Sequence, residues 1–512
     1  MEGTAADTDV IVVGAGPTGL MLAGELRLGG ARVVVIEKLP APTGQSRGLG
    51  FTARAMETFD ERGLLPRFGQ GDTLATSPMG HFGGAQFDFT VLEDAHFGAR
   101  GIPQGDTEAV LEDWAGDLGA DIRRGWEFVS LTDGLPAGDG VEITVRTPQG
   151  DQQTLRAAYL VGCDGGSSRV RRAAGIDFPG TDATQGMYLA DITGVELTPR
   201  FLGERLNGGM VMAAPLSEGV WRIIVCPDGR PAHDRERTVT FEEVAGAWQD
   251  ITGEDISHGG ASWVSSFTNA TRQAAHYRRG RIFLAGDAAH IHLPAGGQGL
   301  STGVQDAANL GWKLAAAVRG DADDTLLDTY HAERHPVGAR LLMNTRAQGI
   351  VFLGGPESDP LRELMAELVR YDDVKRHLAG IVSHLDIRYD LTGDGTGDGT
   401  GDGTGTAHPL VGRRMPPRTL IGTGGETTPA RLLHQGHGVL LDLADDPAIR
   451  RAAAGRPDRV DVATVLAKPT DGPDALAGAT AVLVRPDGYV AWAGTSPKGL
   501  EEALTRWFGP TR

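Results

Sequence analysis
Apolar and polar positions place two strand–turn–helix units far apart along the chain. The first begins with the apolar run Val10 to Val13 and passes through the turn Gly14-Ala15-Gly16-Pro17-Thr18-Gly19. It continues as a helical pattern over Leu20 to Leu28 and returns as a second apolar run, Val33 to Ile36, with Glu37 at its end. The second unit spans Arg281 to Leu314. Ile282 to Ala285 is apolar, Gly286-Asp287 ends the run, and a loop with Pro294, Gly296, Gly297 and Gly299 follows. From Ser301 onward, Val304, Ala307, Ala308, Leu310 and Leu314 recur at helical spacing. Short unbroken apolar runs bounded by glycine predict strands buried on both faces, and so glycine-rich a loop cannot be a helix interior.

The segments between and beyond these units have their own patterns. Gly44 to Gly63 predicts a loop carrying Arg47, then a helix with Met56, Phe59 and Leu64 on one face and Arg54 exposed. Gly101 to Leu118 predicts a strand end and a helix with Gln104 at the junction. Ile122 to Val129 and Val141 to Val145 predict strands joined by a turn over residues 135–140. Tyr159 to Arg172 repeats the strand-into-acid theme at Cys163-Asp164-Gly165, followed by a helix opened by Ser167 and Ser168. Residues 178–269 change character. Their widely spaced strands, Tyr188 to Ile192, Gly209 to Ala214, Val220 to Cys226 and Ala261 to Thr268, predict an antiparallel sheet inserted between two halves of an α/β unit, 1–177 and 270–392. A long helical region runs to about Tyr389, with Pro336 expected to kink or restart a helix. Residues 393–407, built on a Gly-Asp-Gly-Thr repeat, read as a flexible linker. Residues 408–512 predict a small α/β domain whose order resembles a thioredoxin-like fold, with Arg485-Pro486-Asp487-Gly488 as a hairpin turn.

Composition narrows the function. At 512 residues the chain is too long for one core. A hydrophobic content of 40% with 22% charged residues is that of a soluble globular protein. Lys and Arg number 48 against 67 Asp and Glu, a net charge of −19, which argues against nucleic acid or an anionic membrane as partner. The start is polar, with no apolar core of signal-peptide type, and only Cys163 and Cys226 are present, so a reducing cytoplasm is the expected location. No metal site is expected: His331 and His335 lack a third ligand, and the acidic repeat lacks calcium-loop spacing.

The turn chemistry points to a dinucleotide. In a Gly-x-Gly-x-x-Gly turn the first glycine permits the tight bend, the second lets backbone approach a pyrophosphate and the third lets helix and strand pack closely. An acid about twenty residues on receives ribose hydroxyls. Glu37 stands there. Asp287 at a strand end and the glycines after it suit a flavin, whose ribityl hydroxyls and ring oxygens need a carboxylate and free amides. Arg47 reads equally as a pyrophosphate neutraliser or a solvated arginine. Arg169, Arg171 and Arg172 read equally as a nicotinamide-cofactor phosphate site or a solvated face. Met210, Met212, Trp221 and Phe267 are candidates for an apolar pocket over the flavin, although most such residues are simply core.

These stretches carry a resemblance. Gly14 to Gly19 with Glu37, Cys163-Asp164-Gly165 with Arg169, and Gly286-Asp287 with Pro294 resemble the three fingerprints of class A flavoprotein aromatic hydroxylases, including the phenol-hydroxylase branch with its thioredoxin-like tail. SRGLGFTARAMETFDERG, LRAAYLVGCDGG, MYLADI, AGDAAHIHLPAGGQG and RPDGYVAWA resemble angucycline oxygenases of aromatic polyketide biosynthesis. The resemblance implies a Rossmann-like FAD-binding domain interrupted by a substrate sheet. It implies bound FAD, transient NADPH, molecular oxygen and a polycyclic phenolic polyketide oxygenated at C-12, in a monomer or homodimer. It also implies cofactor contacts for Gly14, Gly16, Pro17, Thr18, Gly19, Glu37, Lys38, Arg47, Gln104, Asp164, Arg169, Asp287, Pro294, Gly297, Gly299 and Leu300. The family commonly has Gly-Gly-Gln-Gly-Met-Asn where this chain has Leu300-Ser301, so an asparagine side chain is lost there.

The chemistry so implied is the cofactor's: NADPH reduces FAD, oxygen adds to give a C4a-hydroperoxyflavin, and its distal oxygen passes to an electron-rich ring. No substrate base is evident, and His290 and His292 read at least equally as structural. A Baeyer–Villiger oxygenase, an antibiotic-inactivating monooxygenase and a flavin-binding regulator are the competing classes.

Overall fold
A five-stranded parallel array forms within an eight-stranded mixed sheet, which antiparallel Glu127–Leu131, Val141–Arg146 and Arg278–Arg279 complete. In chain order its strands are β1 (Thr8–Val13), β2 (Val33–Glu37), β3 (Asp121–Arg124), β4 (Gln152–Gly162) and β5 (Ile282–Leu284); in space the order is β5-β4-β1-β2-β3. The computed structural model describes residues 6–69, 76–92, 98–132, 140–232, 237–391, 408–456, 458–469 and 474–511. The 393–407 repeat and most of the 135–140 turn lie outside these. The expected strand over 122–129 is two strands, because Gly125 takes φ +76° between β3 and Glu127–Leu131.

Helix α1 (Pro17–Leu28) packs on this sheet, and α2 (Gln298–Val318) packs on α1. Gly311 lies against Glu25, where an added Cβ would stand 2.3 Å from the glutamate Cβ. α3 (Asp324–Leu353) then runs unbroken through Pro336, against the expectation of a kink. The ring removes only the bond to the Ala332 carbonyl, which lies on the exposed side of the helix where water can replace it.

The middle sheet is antiparallel, in the order Arg200–Leu206, Gly209–Ser217, Val220–Pro227, Gly186–Thr193, Gly260–Thr268. The sequence does not predict its first strand, because its residues are mostly half-buried and their pattern is weakly apolar. One face packs Tyr188, Ala190, Ile192, Ile223 and Val225 under the helix Phe241–Thr252, burying Val244 and Trp248. That helix opens with a complete capping box, Thr240 with Glu243. The spacing of this signature was legible in the sequence.

The C-terminal region carries a four-stranded sheet, Val460–Thr464, Gly438–Asp442, Ala481–Val484, Val490–Gly494, with the first pair parallel and the rest antiparallel. Its Arg485-Pro486-Asp487-Gly488 turn is driven into the rest of the protein. Arg485 donates to both oxygens of Glu333 at 2.8 and 2.7 Å, and Lys313 donates to Glu333 at 2.9 Å and to Asn309 at 2.8 Å. Asn309 donates to Asp487 at 3.0 Å, Arg54 to the Asp487 carbonyl at 2.7 Å and Arg62 to the Pro486 carbonyl at 2.7 Å. All of these side chains are buried. Arg54 is therefore an interface residue and not the exposed helix residue that the pattern suggested. Burial opposes ionisation of Glu333, but Arg485 and Lys313 outweigh it and hold the carboxyl at about 2.

Where α3 passes Thr271–Gln273, three histidines gather. The Tyr277 N–H donates to Nδ1 of His331 at 3.2 Å. Burial, with His335 and His276 nearby, pushes His331 down to about 4. The unfolded chain takes up this proton near the ordinary 6.5, so the folded form binds fewer protons between those values. His331 therefore contributes stability that is full above pH 6.5 and is lost as pH falls toward 4. Half-buried His292 and buried His384, pushed to about 4 and about 3, act with the same sign. Denaturation midpoints should fall between about pH 7 and 5. His331→Gln should flatten that slope by on the order of 1 kcal/mol, since the ring is partly screened by solvent. An unchanged slope would refute this assignment.

Candidate active site
Three loops meet at the C-terminal ends of β1, β4 and β5. Gly14 takes φ +109°, and its N–H donates to the Ile36 carbonyl at 2.8 Å. A Cβ there would lie 2.4 Å from the Cys163 carbonyl oxygen, and one on Gly19 would lie 1.9 Å from the Gly14 oxygen. Both glycines are demanded by backbone-to-backbone packing. Gly16 differs, since nothing lies within 4 Å of its Cβ position. It is the N-cap of α1, has no side-chain cap, and is followed by Pro17. Open space at Gly16 therefore adjoins the start of α1, an arrangement suited to an anion.

Glu37 supports this turn. Its Oε2 accepts from the Ala15 N–H at 2.9 Å and its Oε1 from Leu39 at 2.9 Å. A carboxylate has about four acceptor positions, so two remain for hydroxyl donors. Lys38 is exposed beside it.

Thr18 points elsewhere, into the second unit. Added Cβ atoms on Gly286 and Gly303 would lie 2.7 and 2.2 Å from its hydroxyl, so Thr18 wedges the two fingerprint turns together. Beyond Gly286, Asp287 is crowded by protein yet open to solvent, as expected at the floor of a cleft. That crowding pushes its carboxyl up, while His290 and Arg47 pull the other way. Pro294 and Gly297 are exposed, and Gly296 and Gly297 are left-handed at φ +70° and +64°. Gly297 is the N-cap of α2, so the start of a second helix lies at this exposed loop. Gly299 lies over the His292 ring, 3.4 Å from Nε2 at its Cβ position.

Leu300 packs on Gly48, whose Cβ would stand 2.2 Å from Cδ1. Ser301, at the position of the family's asparagine, accepts the Thr52 N–H at 2.9 Å, so this residue ties loop to loop. The exposed Arg47 lies between two pinned neighbours. Gln104 binds Gly48 through backbone and side chain at 3.0 and 3.4 Å, and Ser46 accepts from the Gly105 N–H at 3.0 Å and from Arg222 at 2.6 Å.

The third loop is held by Asp164, which accepts the Arg169 and Val170 N–H groups at 2.6 and 3.1 Å and so caps a short helix, Arg169–Ala173. The Arg169 guanidinium turns to Glu127 at 2.6 Å. Arg171 is buried and donates to the carbonyls of Ala288 and Gly166 at 2.7 and 2.9 Å, joining the second and third loops. That occupation removes it from the candidate nicotinamide-phosphate cluster. Below the cleft, Asp306 accepts from Gly286 at 3.1 Å, from His290 at 2.7 Å and from Arg334 at 2.7 Å. Burial opposes its ionisation, but Arg334 and His290 prevail and hold the carboxyl below its ordinary value. His290 is thus a structural partner.

The second face of the middle sheet looks onto these loops. Cross-strand register puts Phe267, Met187, Cys226 and Met210 in one row; Ser265, Leu189, Ile224 and Met212 in the next; and Trp263, Asp191, Arg222 and Ala214 in the third. The first row meets Leu293 and Phe352, and Ile224 and Phe267 remain partly exposed. The third row is charged. Arg222 pairs with Asp191 through both oxygens and extends to Ser46. Met210, Met212 and Phe267 stand on this face as expected. Trp221 does not, because it shares the face of Ile223 and Val225 under the helix Phe241–Thr252.

Residues 7–345 match the family described as FAD binding domain, and residues 408–511 match aromatic-ring hydroxylase, C-terminal. The chain belongs to the FAD-dependent aromatic-ring hydroxylases. Its fold matches the crystal structure of CabE, an aromatic hydroxylase from angucycline biosynthesis, with TM-score 0.92 and 57% identity over 99% of this chain and 100% of that one. It is also 43% identical to the 12-dehydrotetracycline 5-monooxygenase/anhydrotetracycline 6-monooxygenase of Streptomyces rimosus, over 98% of this chain and 99% of the relative. A rifampicin monooxygenase of Streptomyces venezuelae is 44% identical over 98% of both chains.

The protein is a flavoprotein monooxygenase, with FAD as its bound cofactor and NADPH as the reductant typical of the family. The supporting residues that sequence reading missed are Ser46, within the Arg47 loop, and Asp191, Arg222, Asp306 and Arg334, which hold the loops from outside. Among the described residues, no cluster of three or more His, Cys, Asp or Glu is arranged to hold a metal, and no helix is long and apolar enough to cross a membrane.

Proposed function
We propose that this hydroxylase oxygenates the phenolic ring of an angucycline-type polycyclic polyketide, at C-12, within antibiotic biosynthesis. The carrying observation is the broad, partly exposed apolar wall of Met212, Ile224 and Phe267 facing the flavin-type loops. A flat tetracycle suits such a wall, and similarity to an angucycline hydroxylase supports the same class. Gly16 and the uncapped start of α1 hold the pyrophosphate, Glu37 with Lys38 the adenosine ribose, Asp287 the ribityl chain, and Gly297 to Leu300 the ring. Arg47 and Gln104 would touch FAD, and Asp164 with Arg169 would serve cofactor phosphates or the structure that receives them. The domain division proposed is 1–177 with 270–392, 178–269, a linker over 393–407 and a thioredoxin-like 408–512; distinct principal sheets support it, and one apolar cluster with Trp312, Tyr389, Leu440 and Trp507 joins the first to the last.

The flavin, reduced by NADPH and reacted with oxygen, supplies the electrophilic oxygen atom. This chain's residues orient the ring over it and exclude water that would discharge peroxide. Purified enzyme given NADPH and a panel of angucyclinones should oxidise NADPH faster with substrate and form hydroxylated product with little peroxide. Uncoupled peroxide from every panel member would sink the angucycline reading. Similarity to a rifampicin monooxygenase supports a second reading, drug inactivation, and turnover of rifampicin in the same panel would favour it. A new lactone carbonyl in product NMR would replace hydroxylation by ester insertion.

A further inference from the structure
A helix, Asp372–Ser383, ends at His384, which is left-handed at φ 62° and ψ 16°. Among the described non-glycine residues only His384 and Asp445 have positive φ. Glycine would hold this conformation without strain, so a bulky residue there needs a compensating role. His384 is 5% exposed. Its Nδ1 accepts from Gln305 Nε2 at 2.9 Å and its Nε2 faces Gln298 Oε1 at 3.1 Å. Neighbouring bonds fix the polarity. Gln305 Nε2 also donates to the Ser301 carbonyl at 3.0 Å, and Gln298 Nε2 donates to the Ala295 carbonyl at 3.3 Å, leaving Gln298 Oε1 to accept. The ring is therefore the neutral, Nε2-protonated tautomer, an assignment made from the network. Burial pushes its pKa to about 3, so this polarity does not invert near neutrality.

Gln298 sits between Gly297 and Gly299 and begins α2, and through Ala295 it spans Gly296 and Gly297. Two left-handed glycines in succession give the loop little stiffness of its own. We propose that His384 is a positioning residue for the flavin loop, holding the Ala295-to-Gly299 backbone in its binding shape through Gln298. The inference rests on the reading of Gly297 to Leu300 as the ring-binding loop.

The test uses the full chain. His384→Gly keeps the left-handed backbone and removes the ring. Its apo unfolding midpoint should stay near that of the wild type, because relief of strain offsets lost contacts. Its FAD Kd should rise about tenfold, the scale of one or two lost hydrogen bonds, and the visible band of bound flavin should shift. His384→Asn tolerates the same backbone but cannot reach Gln298, and should behave alike. Gln298→Ala should weaken FAD similarly, with no further loss in the double variant. A folded His384→Gly protein with unchanged FAD Kd and spectrum overturns the proposal, as do additive effects in the double variant or collapse of both apo variants. Failure of the wild type itself to take up FAD would overturn the loop reading beneath it.

Discussion

Gly16→Val is expected to leave the apo protein folded and to weaken FAD binding by at least about 100-fold, roughly 2.7 kcal/mol. The backbone at residue 16 is extended, φ −81° and ψ 179°, which a β-branched residue adopts freely. No protein atom lies within 4 Å of the new Cβ, so the apo fold has nothing to resist. The added methyls instead occupy the open space beside the start of α1, where a pyrophosphate must come into contact with main chain. Gly19→Ala is the control with the opposite signature. Its Cβ would fall 1.9 Å from a backbone carbonyl, so destabilisation of the apo protein should come first. Thermal melts without FAD, followed by fluorescence titration with FAD, separate the two. Near-native FAD affinity in Gly16→Val would mean that the cofactor does not approach this turn.

Glu333→Ala should be the most damaging single change to stability, lowering it by about 3–5 kcal/mol. The carboxylate accepts from Asn309, Lys313 and twice from Arg485. Without it two buried cations lose their principal anion, and Asp487 alone is left against Arg485 and, through Asn309, the rest of the cluster. An exposed ion pair sets the scale for comparison. Lys375 with Asp372 lies on the surface, and Asp372→Ala should leave the midpoint nearly unchanged. Denaturant midpoints of the two variants measure the contrast. Equal shifts would show that the C-terminal turn is not held by its charges.

The fingerprint units were legible because their grammar is local. A buried run, a glycine with a reason to be glycine and an acid at the next strand end are all readable within a few tens of residues. The RPDG turn is legible as a turn for the same reason, but its destination is not, since Glu333 and Arg485 meet only once segments 152 residues apart pack around one shared apolar cluster. Arg171 looked like one of three equivalent cations, and only the approach of the Ala288 and Gly166 carbonyls distinguishes it. The side of the sheet taken by Trp221 depends on register, and irregular pairing between Pro215 and Ser217 lies next to it. Arg54 was misread because its neighbours in sequence are those of a surface helix, while its partners come from residues far along the chain.

The Thr18 wedge bears on how such enzymes are recombined. A hybrid that takes its opening segment from one parent and the later half from another must match residue 18 to the spaces left by residues 286 and 303. A bulkier partner at either site would pry the two halves of the cofactor bed apart before any substrate preference could be compared. Crossovers placed inside the middle sheet keep residue 18 with one parent and both glycines with the other, so parents alike at these three positions are the ones to shuffle.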